Sequence, residues 1–125
     1  MRADVLLLHG VNLGVLGTRQ PEIYGSLRIE DIERRCSEIA GELGLRLETF
    51  QSDAESELVH KLQSVKDEVR GVVFNAGAFT HYSWAIADAV SFFGGDVIEV
   101  HLSNTMARES WRHQSVLSPV CRGVI

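Results

Sequence analysis

Glu99, His101 and Ser103 occupy alternate positions in the apolar run Val97-Ile98-Glu99-Val100-His101-Leu102-Ser103-Asn104. A strand turns successive side chains to opposite faces, so these three polar groups share one side while Ile98, Val100 and Leu102 take the other. A carboxylate beside an imidazole can hold and move a proton near neutral pH. In a parallel α/β sheet the carboxyl ends of the strands are where ligands bind, and this pair stands at such an end. A half-exposed edge strand with its polar face in water would give the same alternation. Against that bland alternative, Arg108 and Arg112 follow at once, four apart and on one face if that segment is helical.

Two other stretches hold polar groups that could meet the pair. From His9 to Gly25 runs a glycine-rich connection, about three times the ~2–6 residues that usually join a strand to a helix, and an active-site lid is the commonest reason for such length. Its glycines follow the spacing Gly10-x3-Gly14-x2-Gly17, which is neither the dinucleotide-binding pattern nor a P-loop, so a phosphate cradle is excluded. The second stretch is Asn75-Ala76-Gly77-Ala78-Phe79-Thr80-His81-Tyr82-Ser83. Its small residues let backbone approach a ligand, and Thr80 is placed to cap the next helix, whose first amides favour an oxygen anion. His81 and Asp88 are seven apart, about two helical turns, and could face one cleft or a neighbouring subunit.

The elements that must position these groups alternate. Val5–Leu8 is a short apolar run suited to a strand covered on both faces. Arg28–Leu43 has helical apolar spacing and ends at Gly44; Leu45–Phe50 alternates as a strand; Glu55–Val65 is a second helix. Gly71–Asn75 is a third strand, Tyr82–Phe93 a third helix, Val97–His101 a fourth strand and Val120–Ile125 a fifth. Strict alternation implies a parallel sheet with helices on both faces, in the flavodoxin-like order 2-1-3-4-5. The ligand site then lies at the switch between strands one and three, where the polar loops converge.

Composition agrees with one globular domain over residues 1–125: 45% hydrophobic, 23% charged, with no apolar run of the ~20 residues that a membrane helix needs. No secretory signal opens the chain, so a cytoplasmic protein is expected. Cys36 and Cys121 form no Cys-x-x-Cys pair, which argues against a disulfide framework and a zinc site. A net charge of -5 argues against non-specific nucleic-acid binding.

Taken together, Gly10-x-Asn12-Leu13, Gly17-x-Arg19-x-Pro21-x-x-Tyr24-Gly25, Gln51-Ser52, Asn75-x-Gly77-x-x-Thr80-His81-x-Ser83, Asp88, Glu99-Val100-His101-x-Ser103-Asn104 and Arg108-Glu109-x-x-Arg112 resemble the type II 3-dehydroquinate dehydratases, collinearly and over nearly the whole chain. The resemblance implies a flavodoxin-like subunit in a homododecamer of four trimers. It implies trans elimination of water from 3-dehydroquinate to give 3-dehydroshikimate, in the shikimate or quinate pathway, with no metal or cofactor. Removing a proton next to a ketone needs a base, and a lid Tyr24 becomes one only if its pKa falls from about 10, with Arg19 or Arg108 as the cation that helps. The enolate is stabilised through a water held by Asn12. His101 gives the proton to the departing hydroxyl, with Glu99 keeping it charged and fixing its tautomer, and Asn75 orients both. The same resemblance gives the substrate carboxylate to Ser103 and the backbone amides of Leu102 and Ser103. His81 and Arg112 take the ring hydroxyls, and Asp88 contacts the site across a trimer interface.

Where the family usually carries Asn and Pro, this chain has His9 and Val11, so the turn leading to Asn12 is expected to differ. The family usually continues past the fifth strand into a final helix, whereas this sequence stops at Gly123-Val124-Ile125, so that helix is expected to be missing and apolar sheet surface left open. His60 and His113 match no chemical role, and Trp84 and Trp111 are expected to be packing residues. Two other readings stand beside the dehydratase: a pseudoenzyme or regulator that binds the same anionic ring without efficient turnover, and a flavodoxin-like module for a phosphate or flavin. The set Tyr24, Arg19, His101 and Glu99 favours the enzyme over a binder, and the lack of a phosphate loop weighs against the module.

Overall fold

A computed structural model describes residues 3–18 and 20–125. Five strands, β1 (Val5–His9), β2 (Leu47–Gln51), β3 (Gly71–Asn75), β4 (Asp96–Glu99) and β5 (Gly123–Val124), form one sheet in the order β2-β1-β3-β4-β5, every pairing parallel. This is the expected switch-point topology. Helices α1 (Pro21–Tyr24), α2 (Ile29–Glu42), α3 (Glu55–Ser64) and α4 (Trp84–Phe93) fill the connections.

Strand alternation sends Leu6, Leu8, Val72, Phe74 and Val97 to one face, where they pack with Leu58 and Leu62 of α3, Val65 at its end, and Ile86, Val90 and Phe93 of α4. Each fully buried aliphatic or Phe side chain contributes about 1.5–3 kcal/mol. The opposite face meets α2, and a hollow of about 420 Å³ lies there between Leu7, His9 and Val73 of the sheet and Ile32 and Cys36 of the helix. The register aligns His9 with Gln51 on one side and Asn75 on the other, which sets a polar row at the carboxyl edge.

Several boundaries differ from the sequence reading, each for a local reason. β4 ends at Glu99, and one further amide bonds on each side: Val100 N donates to Phe74 O (2.9 Å) toward β3, and His101 N to Ile125 O (3.0 Å) toward β5. Thr80 does not cap α4: Ser83 does, its Oγ accepting from Ile86 N (3.1 Å) while donating to Glu55 Oε2 (2.5 Å). His81 therefore ends a separate 3₁₀ turn, Gly77–His81, and the two-turn relation to Asp88 does not hold. Arg108 and Arg112 share no helix either, since extended backbone at Arg108 separates the 3₁₀ turns Thr105–Ala107 and Ser110–Arg112. Among the described residues, no helix is long and apolar enough to cross a membrane, and no cluster of His, Cys, Asp and Glu could hold a metal ion.

Candidate active site

The loops after β1, β3 and β4 enclose a cleft of about 520 Å³ at the carboxyl edge of the sheet. Its walls carry Asn12, Tyr24, Asn75, His81, His101, Leu102, Ser103, Arg108 and Arg112, nine of the residues singled out from the sequence. Glu99 stands behind His101. Asp88 is exposed on α4 and does not line this cleft, and Arg19 lies outside the described residues.

Glu99 is fully buried, and its carboxylate is the hub of one side. Oε2 accepts from Thr80 Oγ1 (2.7 Å) and lies 2.5 Å from His101 Nε2; Oε1 accepts from Ser118 Oγ (2.6 Å) and Ser115 Oγ (3.0 Å). Burial alone would push this carboxyl up, but the bonds from His101, Ser118, Thr80 and Ser115 outweigh it and bring it down from 4.5 to about 2. An ionised acceptor with four donors is a fixed anchor. It takes His101 by Nε2 and leaves Nδ1 for the cleft.

The opposite wall is the lid. Pro21 opens the four-residue α1, where its missing N–H costs nothing, and Gly25 ends it at φ 78°, a conformation that side chains other than glycine's rarely adopt. Tyr24, half-buried, packs on the small cluster of Leu13, Leu16 and Ile29. Arg108 Nη1 donates to Tyr24 Oη at 2.5 Å and to Ser103 Oγ at 3.2 Å, and its guanidinium lies 5.2 Å from the centre of the phenol ring.

The floor and sides offer donors. Asn75 Oδ1 accepts from Gly77 N (3.1 Å), which leaves Nδ2 to give. Among the described residues nothing accepts the backbone N–H of Leu102 or Ser103. His81 donates Nδ1–H to Gln114 O (2.7 Å). Burial pushes its imidazole below the ordinary value; the Gln114 bond and Glu99 pull back, while His101 and Arg112 push further down. Arg112 bonds Glu109 through Nε and lies 4.1 Å over the Trp111 ring, which leaves its terminal nitrogens for the cleft.

Thr80, Ser115, Ser118 and Glu109 have positions that sequence reading did not give them. Ser115 and Ser118 flank Val116 and the fully buried Leu117, and two hydroxyls bracketing an apolar pair was the available signal. Trp84 is not a packing residue within the chain, since it is 71% exposed, whereas Trp111 packs edge-on against His81 with ring centres 5.3 Å apart. His113 Nε2 lies 3.2 Å from Arg108 O and His60 is exposed on α3. His9 lines the hollow beside α2 and not the cleft. Burial pushes its imidazole down and Glu33, at 3.7 Å, opposes this.

A family model described as Dehydroquinase class II matches residues 3–125. The chain is 50% identical over 121 residues to 3-dehydroquinate dehydratase of Pelotomaculum thermopropionicum, covering 97% of this chain and 84% of that protein. It is 46% identical over 125 residues to catabolic 3-dehydroquinase 1 of Neosartorya fischeri, covering 100% and 83%. The crystal structure of type II dehydroquinase from Propionibacterium acnes superposes with a TM-score of 0.94 at 43% identity, covering 100% of this chain and 86% of that one.

Proposed function

The chain belongs to the class II dehydroquinase family, and from that premise we propose that it is a 3-dehydroquinate dehydratase, a hydro-lyase that converts 3-dehydroquinate to 3-dehydroshikimate. One observation carries the reading: a phenol held against a guanidinium and an imidazole held against a buried carboxylate share a single cleft. A binding protein for the same ring has no use for either pairing.

The elimination follows from these groups. The Arg108 guanidinium beside Tyr24 favours the phenolate, which removes the proton next to the substrate ketone. Arg19, five residues before Tyr24 in the sequence, is the second cation proposed for this role. Charge moves to the ketone oxygen, where a water held by Asn12 donates. His101, with ionised Glu99 as its counter-charge, gives its proton to the departing tertiary hydroxyl, and Asn75 Nδ2 orients the two. The C–O bond breaks as the ring double bond forms, water leaves, and the Tyr24 and His101 protons return to their starting states through solvent.

Binding uses the remaining donors. The Leu102 and Ser103 amides and Ser103 Oγ suit the substrate carboxylate, and His81 and Arg112 suit ring hydroxyls. Arg108 and Arg112 make the cleft locally positive in a chain of net charge -5, which draws in an anion despite the overall sign. On the outer face of α4, Trp84, Asp88 and Phe92 stand exposed at spacings of four, so an acidic residue lies between two large apolar ones. Such a stripe suits a subunit interface, and we assign Asp88 to a neighbouring copy's site in a homo-oligomer built from trimers into a dodecamer. Sedimentation of the purified protein checks the assembly.

The direct test follows the ultraviolet absorbance of the conjugated enone when 3-dehydroquinate is added. The parent turns over, and Tyr24→Phe and His101→Ala each lose about 10²–10⁴-fold in kcat. Substrate binding without turnover in the assembled parent gives the binding-protein reading instead, and full activity in Tyr24→Phe removes Tyr24 as the base.

A further inference from the structure

We propose that Asp53, which lies outside the cleft, is a positioning residue for Asn12 and that with Gln51 it fixes the hinge of the lid. The inference rests on the role assigned to Asn12 above and extends it to the segment after β2.

Asn12 has φ 68° and ψ 0°, the left-handed region, which asparagine enters more readily than most residues but at a cost that a partner on its amide offsets. The direction of its side chain follows from that backbone state: a return to negative φ swings the amide away from its present place in the cleft wall. The Asn12 N–H donates to Asp53 Oδ1 at 2.8 Å. The same oxygen accepts from Gln51 Nε2 at 3.1 Å, and that nitrogen also donates to Gly10 O at 3.2 Å. Gly10 is fixed in turn, its N–H bonded to Asn75 O, and a Cβ there would stand 2.2 Å from Ala76 O. A closed chain thus runs from Gly10 through Gln51 and Asp53 to Asn12. The Gln51 side chain also lies along the next turn, its Oε1 3.0 Å from where a Cβ on Gly14 would be.

Asp53 does not line the cleft and acts through the Asn12 main chain. A carboxylate holds an N–H more strongly than a neutral acceptor does. Because Asp53 is exposed, water replaces it in a truncated variant, so the fold survives while Asn12 gains freedom. This places the consequence on the rate rather than on substrate affinity.

The test is a double-mutant cycle read by steady-state turnover of 3-dehydroquinate, with thermal midpoints as the folding control. Asp53→Ala lowers kcat about tenfold and changes KM less than about threefold; Asp53→Asn, which keeps the acceptor oxygen, restores most of the loss. In an Asn12→Ala background, Asp53→Ala costs nothing more. An equal loss in both backgrounds, or no loss in Asp53→Ala beside a clear loss in Asn12→Ala, overturns the positioning role alone. Full activity in Asn12→Ala overturns that role and the assignment of Asn12 together.

Discussion

The two walls of the cleft are built on opposite principles. His101 extends a strand, its amide bonded to Ile125 O and its ring to a fully buried carboxylate that four donors saturate. Tyr24 sits on a four-residue helix that ends at a positive-φ glycine, outside the main core, against a small cluster of its own. The proton donor is thus held by the same interactions that hold the fold, while the base rides on a segment that can open without disturbing the sheet. Substrate must enter and product leave, and this division lets the lid move while the imidazole stays in register.

Removing the hub gives the largest effect. Glu99→Ala leaves Thr80, Ser115, Ser118 and His101 without their shared acceptor and is expected to cost about 3–5 kcal/mol in urea unfolding, whereas Tyr24→Phe stays within about 0.5 kcal/mol. Comparable losses in the two variants would erase the contrast between the walls. Acid should then reveal the same anchor. The folded-state value of Glu99, about 2, lies below its ordinary 4.5, so the fold favours the ionised form. Its contribution, on the order of 3 kcal/mol, is complete above about pH 4.5 and drains away as the pH falls toward 2. Unfolding free energies across that window, compared with those of Glu99→Gln, isolate this share.

On the base side, Arg108→Ala is expected to lower kcat about 100-fold with little change in thermal midpoint, because it removes the cation from Tyr24 and leaves the sheet intact. Arg108→Lys recovers part of this, since a lysine keeps the charge but its shorter reach does not reproduce the position of the Nη1 atom that donates to both Tyr24 and Ser103. The smallest effect sharpens the hub: Ser118→Ala removes one of four donors and is expected to cost about 1 kcal/mol in stability, with kcat changed less than about threefold.

The strand–helix alternation and the apolar periodicities made the sheet order readable in advance, because burial on two faces leaves few alternatives for Val5–Leu8 or Gly71–Asn75. Period two likewise carried Glu99 and His101 to the same side. What period and propensity could not supply were partners distant in sequence. Thr80 has the residue type and place of a helix cap, yet its hydroxyl serves a carboxylate 19 residues on, and the cap falls to Ser83. Arg108 reaches the cleft from extended backbone and Arg112 from the 3₁₀ turn that follows, rather than both from one helix. Asp53 bonds a backbone amide 41 positions away, a relation fixed only when β1 and β2 align.

The edge-on approach of Trp111 to His81 gives this cleft an optical witness. An indole that touches both an imidazole and the Arg112 guanidinium feels any change in their charge or position, so its emission should respond when an anionic ring settles among them. Trp84, on the outer face of α4, supplies a second signal from solvent and from subunit contact. With phenylalanine in place of Trp84, fluorescence selectively excited in the one remaining indole, Trp111, would time ligand arrival separately from bond breaking.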